Sequence, residues 1–159
     1  MKIAVLGAGT MGNGIAQVFA QNGHDVVLRD LSQPILDRAR NAIERSLNKL
    51  VEKGRLTTVD RDSSLARVRP ATDIAAAAGA RLVVEAVVEN FEVKAALFRE
   101  LDALMAPEAI LATNTSAISI TKLATATNRP DHVIGMHFMN PVPLMPLVEV
   151  IRGQATSDQ

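Results

Sequence analysis

Three side chains far apart in this sequence, Ser116, His137 and Glu149, could together carry out a proton transfer. A histidine with a carboxylate on one ring nitrogen and a lone pair on the other can act as a general base near neutral pH. His137 lies near the end of the run His132-Val133-Ile134-Gly135-Met136-His137-Phe138, and Leu147-Val148-Glu149-Val150-Ile151 follows a proline-rich link. That link is shorter than the dozen or so residues a parallel crossover needs, so the second run must return antiparallel. A turn centred near Pro143 then sets His137 opposite Glu149 across the two strands. A histidine near a strand end is also commonly a hydrogen-bonded core residue, and spacing alone leaves both roles open. His24 and His132 have no comparable partner.

A second constellation would bind an anion. Gly7-Ala8-Gly9-Thr10-Met11-Gly12 separates the apolar run Ile3–Leu6 from the helical pattern that continues through Asn13–Ala20. Gly7 would permit the tight turn, Gly9 would let the backbone approach a pyrophosphate, and Gly12 would let helix and strand lie close. With Thr10 and Met11 they place the first unpaired N–H groups of a helix under a phosphate, where the macrodipole favours negative charge. Asp30 follows Gly12 by 18 residues at the end of the next apolar run, Val26–Leu28, where a carboxylate can accept hydrogen bonds from a ribose diol. Such a glycine pattern by itself also marks purely structural turns. Here strand, turn, helix and acid occur in order, which points to a dinucleotide. Asp30 would repel a 2′-phosphate and so favours NAD, whereas Arg29 beside it could tolerate NADP.

The elements that must position these groups are those of a doubly wound α/β protein. Ile35, Leu36, Ala39, Ala42, Ile43, Leu47, Leu50 and Val51 form one helical stripe behind Ser32, a candidate cap with Pro34 in the first turn. Thr57–Val68 predicts a shorter helix folding back, so a helical hairpin follows the second strand. Its polar residues, Ser46, Lys49 and Lys53 among them, form a solvated face unless a ligand needs them. A third strand is expected near Val68–Pro70, a helical turn at Ile74–Ala78, a fourth strand at Leu82–Val87, a helix at Asn90–Met105 and a fifth strand at Ile110–Ala112. Glu85 and Glu89 fall at the carboxyl edge, where ligands bind in such sheets, although satisfying a helix terminus would explain either one. Thr113-Asn114-Thr115-Ser116 hangs from the fifth strand. It could bind ligand or cap a helix over Ile118–Ala126.

Composition narrows the class. The chain has 159 residues, 48% of them hydrophobic, with 17 basic and 17 acidic side chains and no cysteine. That length suits one ordinary domain. Balanced charge without a long basic run argues against general nucleic-acid or membrane-surface binding. Thiol catalysis, zinc–thiolate sites and disulfides are excluded, and no metal site is expected. The amino terminus enters a strand at once, leaving no room for a signal peptide, and the most apolar stretch, Ile74–Val88, is interrupted by Arg81 and Glu85. A soluble, cytoplasmic protein is expected.

Taken together, Gly7–Ala16, Val84-Glu85-Ala86-Val87-Val88-Glu89, Asn114-Thr115-Ser116, Gly135-Met136-His137-Phe138-Met139-Asn140-Pro141 and Leu147–Ile151 resemble the cofactor domain of L-3-hydroxyacyl-CoA dehydrogenases, in particular the bacterial 3-hydroxybutyryl-CoA type. The resemblance covers almost the whole chain. It implies an NAD-binding Rossmann domain over residues 1–159, with a mostly parallel sheet, a helical hairpin after strand two and an antiparallel last strand. It further implies that His137 is the base, Glu149 its partner and Ser116 a hydrogen-bonding group on the substrate oxygen. Glu89, Lys94, Asn114, Ser116 and Asn140 would lie on the nicotinamide side, and Ser46 and Lys53 would contact coenzyme A. The implied reaction is NAD-dependent interconversion of a 3-hydroxyacyl-CoA and a 3-oxoacyl-CoA.

Two positions depart from the family pattern, Thr113 where serine is common and Met139 where a second phenylalanine is common. Neither is a reacting group. The family continues into an all-helical domain that supplies homodimer contacts, covers the acyl chain and contributes a further catalytic asparagine. A chain ending at Gln159 is therefore expected to bind NAD better than it turns over. The competing expectations are another hydroxyacid dehydrogenase with a similar glycine loop, which would use a catalytic lysine instead, and an NAD-binding module without turnover.

Overall fold

Helices cover both faces of the centre of the sheet, which is why its central strands are continuous apolar runs rather than alternating ones. In the first strand, β1 (Lys2–Leu6), Ile3, Ala4, Val5 and Leu6 are completely buried. The computed structural model describes residues 1–158. Its other strands are β2 (Asp25–Arg29), β3 (Val68–Ala71), β4 (Leu82–Glu85), β5 (Ile110–Thr113), β6 (Val133–Phe138) and β7 (Val148–Arg152). They form one sheet in the order β3-β2-β1-β4-β5-β6-β7. All neighbours are parallel except β6 and β7. The order reverses between β1 and β4, the crevice in which doubly wound sheets bind nucleotides. Pro70, which cannot donate to a ladder, sits on the edge strand β3.

The helices are α1 (Thr10–Gln21), α2 (Gln33–Glu52), α3 (Thr58–Arg67), α4 (Phe91–Leu104) and α5 (Ile120–Ala124). Ile15, Ala16 and Ala20 of α1 and Leu36, Ile43 and Leu47 of α2 pack on Ile3, Val5, Val26 and Leu28. Ala95, Phe98 and Leu101 of α4 and Leu123 of α5 cover the alternate residues Ala4, Leu6, Val83 and Leu111 on the other face. Helix α3 closes the expected hairpin against α2 and starts at Thr57, whose hydroxyl accepts the Asp60 N–H at 3.0 Å.

Three elements differ from expectation, each for a local polar reason. Ser32 occupies the N-cap position of α2 but makes no side-chain capping bond. Strand β4 ends at Glu85 rather than Val87, because the Val87 N–H turns back to donate to Glu85 Oε1 at 2.7 Å. Helix α5 starts at Ile120 rather than Ile118, since Thr115 Oγ1 accepts the Ile118 N–H at 3.0 Å and Ser119 Oγ accepts the Lys122 N–H at 3.2 Å.

Strand register determines what stands above the carboxyl edge. Arg29 pairs with Ala71 and with Leu6, Leu6 with Glu85, Glu85 with Thr113, and Thr113 with Gly135, so one row of residues marks where five parallel strands stop and where β6 crosses it. Strand β6 continues beyond that row through Met136, His137 and Phe138, where its one strand neighbour is β7, which pairs His137 with Glu149. At about 3.3 Å per residue, His137 stands roughly 7 Å past the row. The turn between the two strands leans on α1, where a Cβ added at Gly14 would lie 2.9 Å from Val142 Cβ.

An Arg129–Asp102 clamp fastens the far end of α4. Arg129 Nε donates to Asp102 Oδ1 at 2.7 Å, and its other nitrogens donate to the carbonyls of Asp102, Met105 and Ala106, the exposed C-terminal acceptors of that helix. Burial raises the Asp102 pKa, but the Asn128 backbone N–H, the Arg129 guanidinium and the Asn128 amide outweigh it and hold the carboxyl below its ordinary 3.8. A pKa lower in the folded than in the unfolded chain means that the contribution is fully present above 3.8 and is lost as the pH falls through the folded value. Urea unfolding of Asp102→Asn should therefore show a shallower loss of stability below pH 3.8 than the parent chain.

Candidate functional site: a nucleotide cleft joined to a Ser–His–Glu trio

The glycine turn has two crowded positions and one open one. Gly7 has φ +98°, a left-handed conformation natural to glycine, and a Cβ there would lie 2.6 Å from the Ala86 carbonyl oxygen. A Cβ at Gly12 would sit 1.7 Å from the Gly7 carbonyl oxygen, so helix and turn touch backbone to backbone. Nothing lies within 4 Å of a Cβ at Gly9. Gly9 is also the N-cap of α1 and offers no side chain to the helix, whose first backbone bond is Asn13 N–H to Gly9 O at 3.0 Å. The N–H groups of Thr10, Met11 and Gly12 have no acceptor among the described residues, and Thr10 and Met11 line the open cleft. That cradle fits a pyrophosphate.

Gly7, Gly9, Thr10 and Met11 line one end of a cleft of about 610 Å³, with Arg29, Asp30 and Leu31 at the end of β2 and Ile35, Val88, Val93 and Leu97 as apolar walls. These walls suit an adenine ring, and the sequence pattern gave no sign of them because they come from three separate elements. Asp30 Oδ2 accepts the Ala8 N–H and Oδ1 the Leu31 N–H, both at 2.7 Å. Each oxygen keeps a lone pair for a ribose hydroxyl. Arg29 turns away, its Nε donating to the Thr72 carbonyl at 3.3 Å.

The second cleft, about 380 Å³, lies where β6 overhangs the sheet and is lined by Thr115–Thr121, His137, Glu149, Ile151 and Arg152. His137 Nδ1 is 2.7 Å from Glu149 Oε2, and His137 Nε2 is 3.1 Å from Ser116 Oγ. A carboxylate can only accept, so Nδ1 carries the proton and donates it to Glu149. Nε2 is then the lone-pair nitrogen and accepts from the Ser116 hydroxyl. This imidazole is 22% exposed, accessible to a small reactant yet held on both nitrogens. His132 has Asp131 Oδ1 3.1 Å from its Nδ1, but that neighbour adjoins it on the turn before β6 and faces neither cleft.

Between the clefts lies a polar network. Glu85, fully buried, accepts from Lys94 Nζ at 2.6 Å, the Val87 N–H at 2.7 Å and the Thr113 hydroxyl at 2.7 Å. Lys94 also reaches Glu89 Oε2 at 3.2 Å, and Glu89 accepts from the Thr115 hydroxyl. Partial burial raises the Glu89 pKa. The Thr115 hydroxyl, the Lys94 ammonium and the Ser116 N–H outweigh that and leave it below the ordinary value.

Lys94 lines neither cleft directly. At 1% exposure its ammonium is enclosed between two carboxylates and reaches the cleft only through Glu89. Asn114 uses its side-chain oxygen to accept the Phe138 N–H at 2.8 Å, tying β5 to the end of β6. Asn140 is exposed in the loop beyond β6. Ser46, half-buried on α2, and Lys53, exposed at its C-terminal cap, line neither cleft.

A Rossmann sheet with an anion cradle at its first turn and an acid ending its second strand defines a dinucleotide-binding domain of the dehydrogenase class. Residues 2–159 match the family described as 3-hydroxyacyl-CoA dehydrogenase, NAD binding domain, and the chain belongs to that family. Its cofactor is accordingly NAD. A probable 3-hydroxybutyryl-CoA dehydrogenase of Deinococcus radiodurans is 57% identical over 159 residues, covering 100% of this chain and 57% of that protein. The 3-hydroxybutyryl-CoA dehydrogenase of Clostridioides difficile is 48% identical over 157 residues, 99% of this chain and 56% of the relative. Among solved structures, 3-hydroxybutyryl-CoA dehydrogenase from Escherichia coli K12 superposes with a TM-score of 0.97 at 48% identity, covering 99% of this chain and 34% of that one. The chain thus spans about half the length of the first two relatives. No helix among the described residues is long and apolar enough to cross a membrane.

The two glycines give opposite outcomes. Gly12→Ala should lower the melting temperature sharply, because its methyl overlaps backbone. Gly9→Ala should melt close to the parent yet bind NADH, followed by its fluorescence, at least about tenfold more weakly, about 1.4 kcal/mol.

Proposed function

We propose that this chain carries the cofactor and proton-transfer half of an NAD-dependent dehydrogenase that interconverts (S)-3-hydroxyacyl-CoA and 3-oxoacyl-CoA, with 3-hydroxybutyryl-CoA as the preferred substrate class. The observation that carries this reading is the Ser116–His137–Glu149 chain of hydrogen bonds at the end of β6. His137 Nε2 removes the proton of the 3-hydroxyl. Ser116 donates its hydroxyl to the same oxygen as charge develops there. Glu149 fixes the ring tautomer and stabilises the imidazolium that results. NAD, which the glycine turn and Asp30 would hold, would supply the hydride acceptor for C3, and in the reverse direction His137 serves as the acid. Ser46 and Lys53 on the hairpin are offered as coenzyme A contacts, on the strength of the family resemblance.

A second reading is a cofactor-binding unit without turnover of its own, since the sheet and its glycine turn account for nucleotide binding alone. One assay separates the two, NADH oxidation with acetoacetyl-CoA, measured on the chain alone and joined to the helical domain of a relative. Turnover is expected in the joined protein. His137→Ala should lower its kcat by about 10²- to 10⁴-fold, and Glu149→Gln should lower kcat more than it raises KM. Full activity in the alanine variant would refute the role given to His137, and an inactive joined protein would favour the second reading.

A further inference from the structure

Lys94 heads the fully buried side chains by size, and neither it nor Glu85 has a part in the proton transfer above. The Lys94 ammonium lies between an inner carboxylate, Glu85, which is 0% exposed, and an outer one, Glu89, which is 47% exposed. One cation between two anions leaves a net negative charge. Glu85 is nearer to Lys94, at 2.6 Å against 3.2 Å, and is sealed by the Val87 N–H and the Thr113 hydroxyl, so the excess charge resides on Glu89. Glu89 in turn is held by the hydroxyl of Thr115, the residue before Ser116, whose Oγ reaches His137 Nε2.

A carbon that loses its hydroxyl proton to His137 Nε2 must touch its hydride acceptor at about 3 to 3.5 Å. A nicotinamide ring so placed would lie beside the Thr115–Ser116 turn, whose Thr115 hydroxyl binds Glu89. The oxidised ring is cationic and the reduced ring is neutral, while the pyrophosphate and both riboses are common to the two forms. We propose that the Glu85–Lys94–Glu89 triad selects the oxidation state of the cofactor, its outer carboxylate favouring NAD⁺ over NADH. Glu89 is the specificity-determining residue. Lys94 and Glu85 are positioning residues: without Lys94 the two carboxylates would repel each other, and without Glu85 the ammonium would neutralise Glu89. The proposal rests on the cofactor reading of this cleft and on His137 as the proton acceptor, and not on the identity of the acyl substrate.

Calorimetric titration of the chain with NAD⁺ and with NADH tests it. Glu89→Gln should weaken NAD⁺ about 3- to 10-fold more than it weakens NADH, the effect of one partly solvated charge. Glu85→Gln, which leaves every cleft-facing group in place, should move the ratio of affinities in the same direction. The difference should shrink as salt is raised. If Glu85→Gln does not fold, as a melting curve would reveal, Glu89→Gln alone decides. A ratio unchanged in Glu89→Gln overturns the selector and leaves the cofactor site standing. A parent chain that binds neither nucleotide overturns both.

Discussion

The antiparallel pairing of β6 with β7 is the interaction on which the chemistry depends. Five parallel strands end on one row, and a strand extending past it would present bare backbone to water. By returning alongside, β7 supplies hydrogen bonds to the overhang, and the same register puts Glu149 against His137. Ser116 then reaches the imidazole from the loop after β5. One pairing thus fixes the tautomer, the height and the orientation of the base. Asn114 ties the overhang to the neighbouring strand through the Phe138 N–H.

The second constraint is electrostatic. An ion pair as enclosed as Lys94–Glu85 offers little net stability, since desolvation opposes the attraction, but removing one partner would strand a buried charge. Its position explains its presence. It fills the space where β4, β5 and α4 converge, and its remaining bonds run to Glu89, the Thr113 hydroxyl and the Val87 N–H. The network therefore ties α4 to the ends of β4 and β5. The apolar walls around Leu31, Val88 and Val93 are left to the flat end of the ligand.

Much of this was legible in the sequence because the informative signals are local or symmetric. Glycines 7 and 12 declare a backbone crossing whatever surrounds them. His137 and Glu149 declare their pairing because a short proline link admits just one way back. The hairpin of α2 and α3 follows from its apolar stripe. What stayed hidden depends on distant partners. Glu85 could not be told from a ligand-facing acid until Lys94, nine residues on, and Thr113, from the next strand, were seen around it. The early end of β4 and the late start of α5 come from side chains that capture backbone N–H groups, which no periodicity records. Arg29, which its place beside Asp30 would let meet a 2′-phosphate, is turned instead toward Thr72.

The contact between Gly14 and Val142 joins the two halves of the molecule. Helix α1 carries the anion cradle at one end and, one turn along, receives the bend that returns β6 into β7. A methyl group at that spot would push on the bend and, through it, on the imidazole. Loop-swapping or directed-evolution schemes that treat the nucleotide half and the proton-transfer half as separable modules would therefore inherit a hidden dependency. The two positions must be exchanged as a matched set, or the graft will hold its coenzyme while misaligning its base.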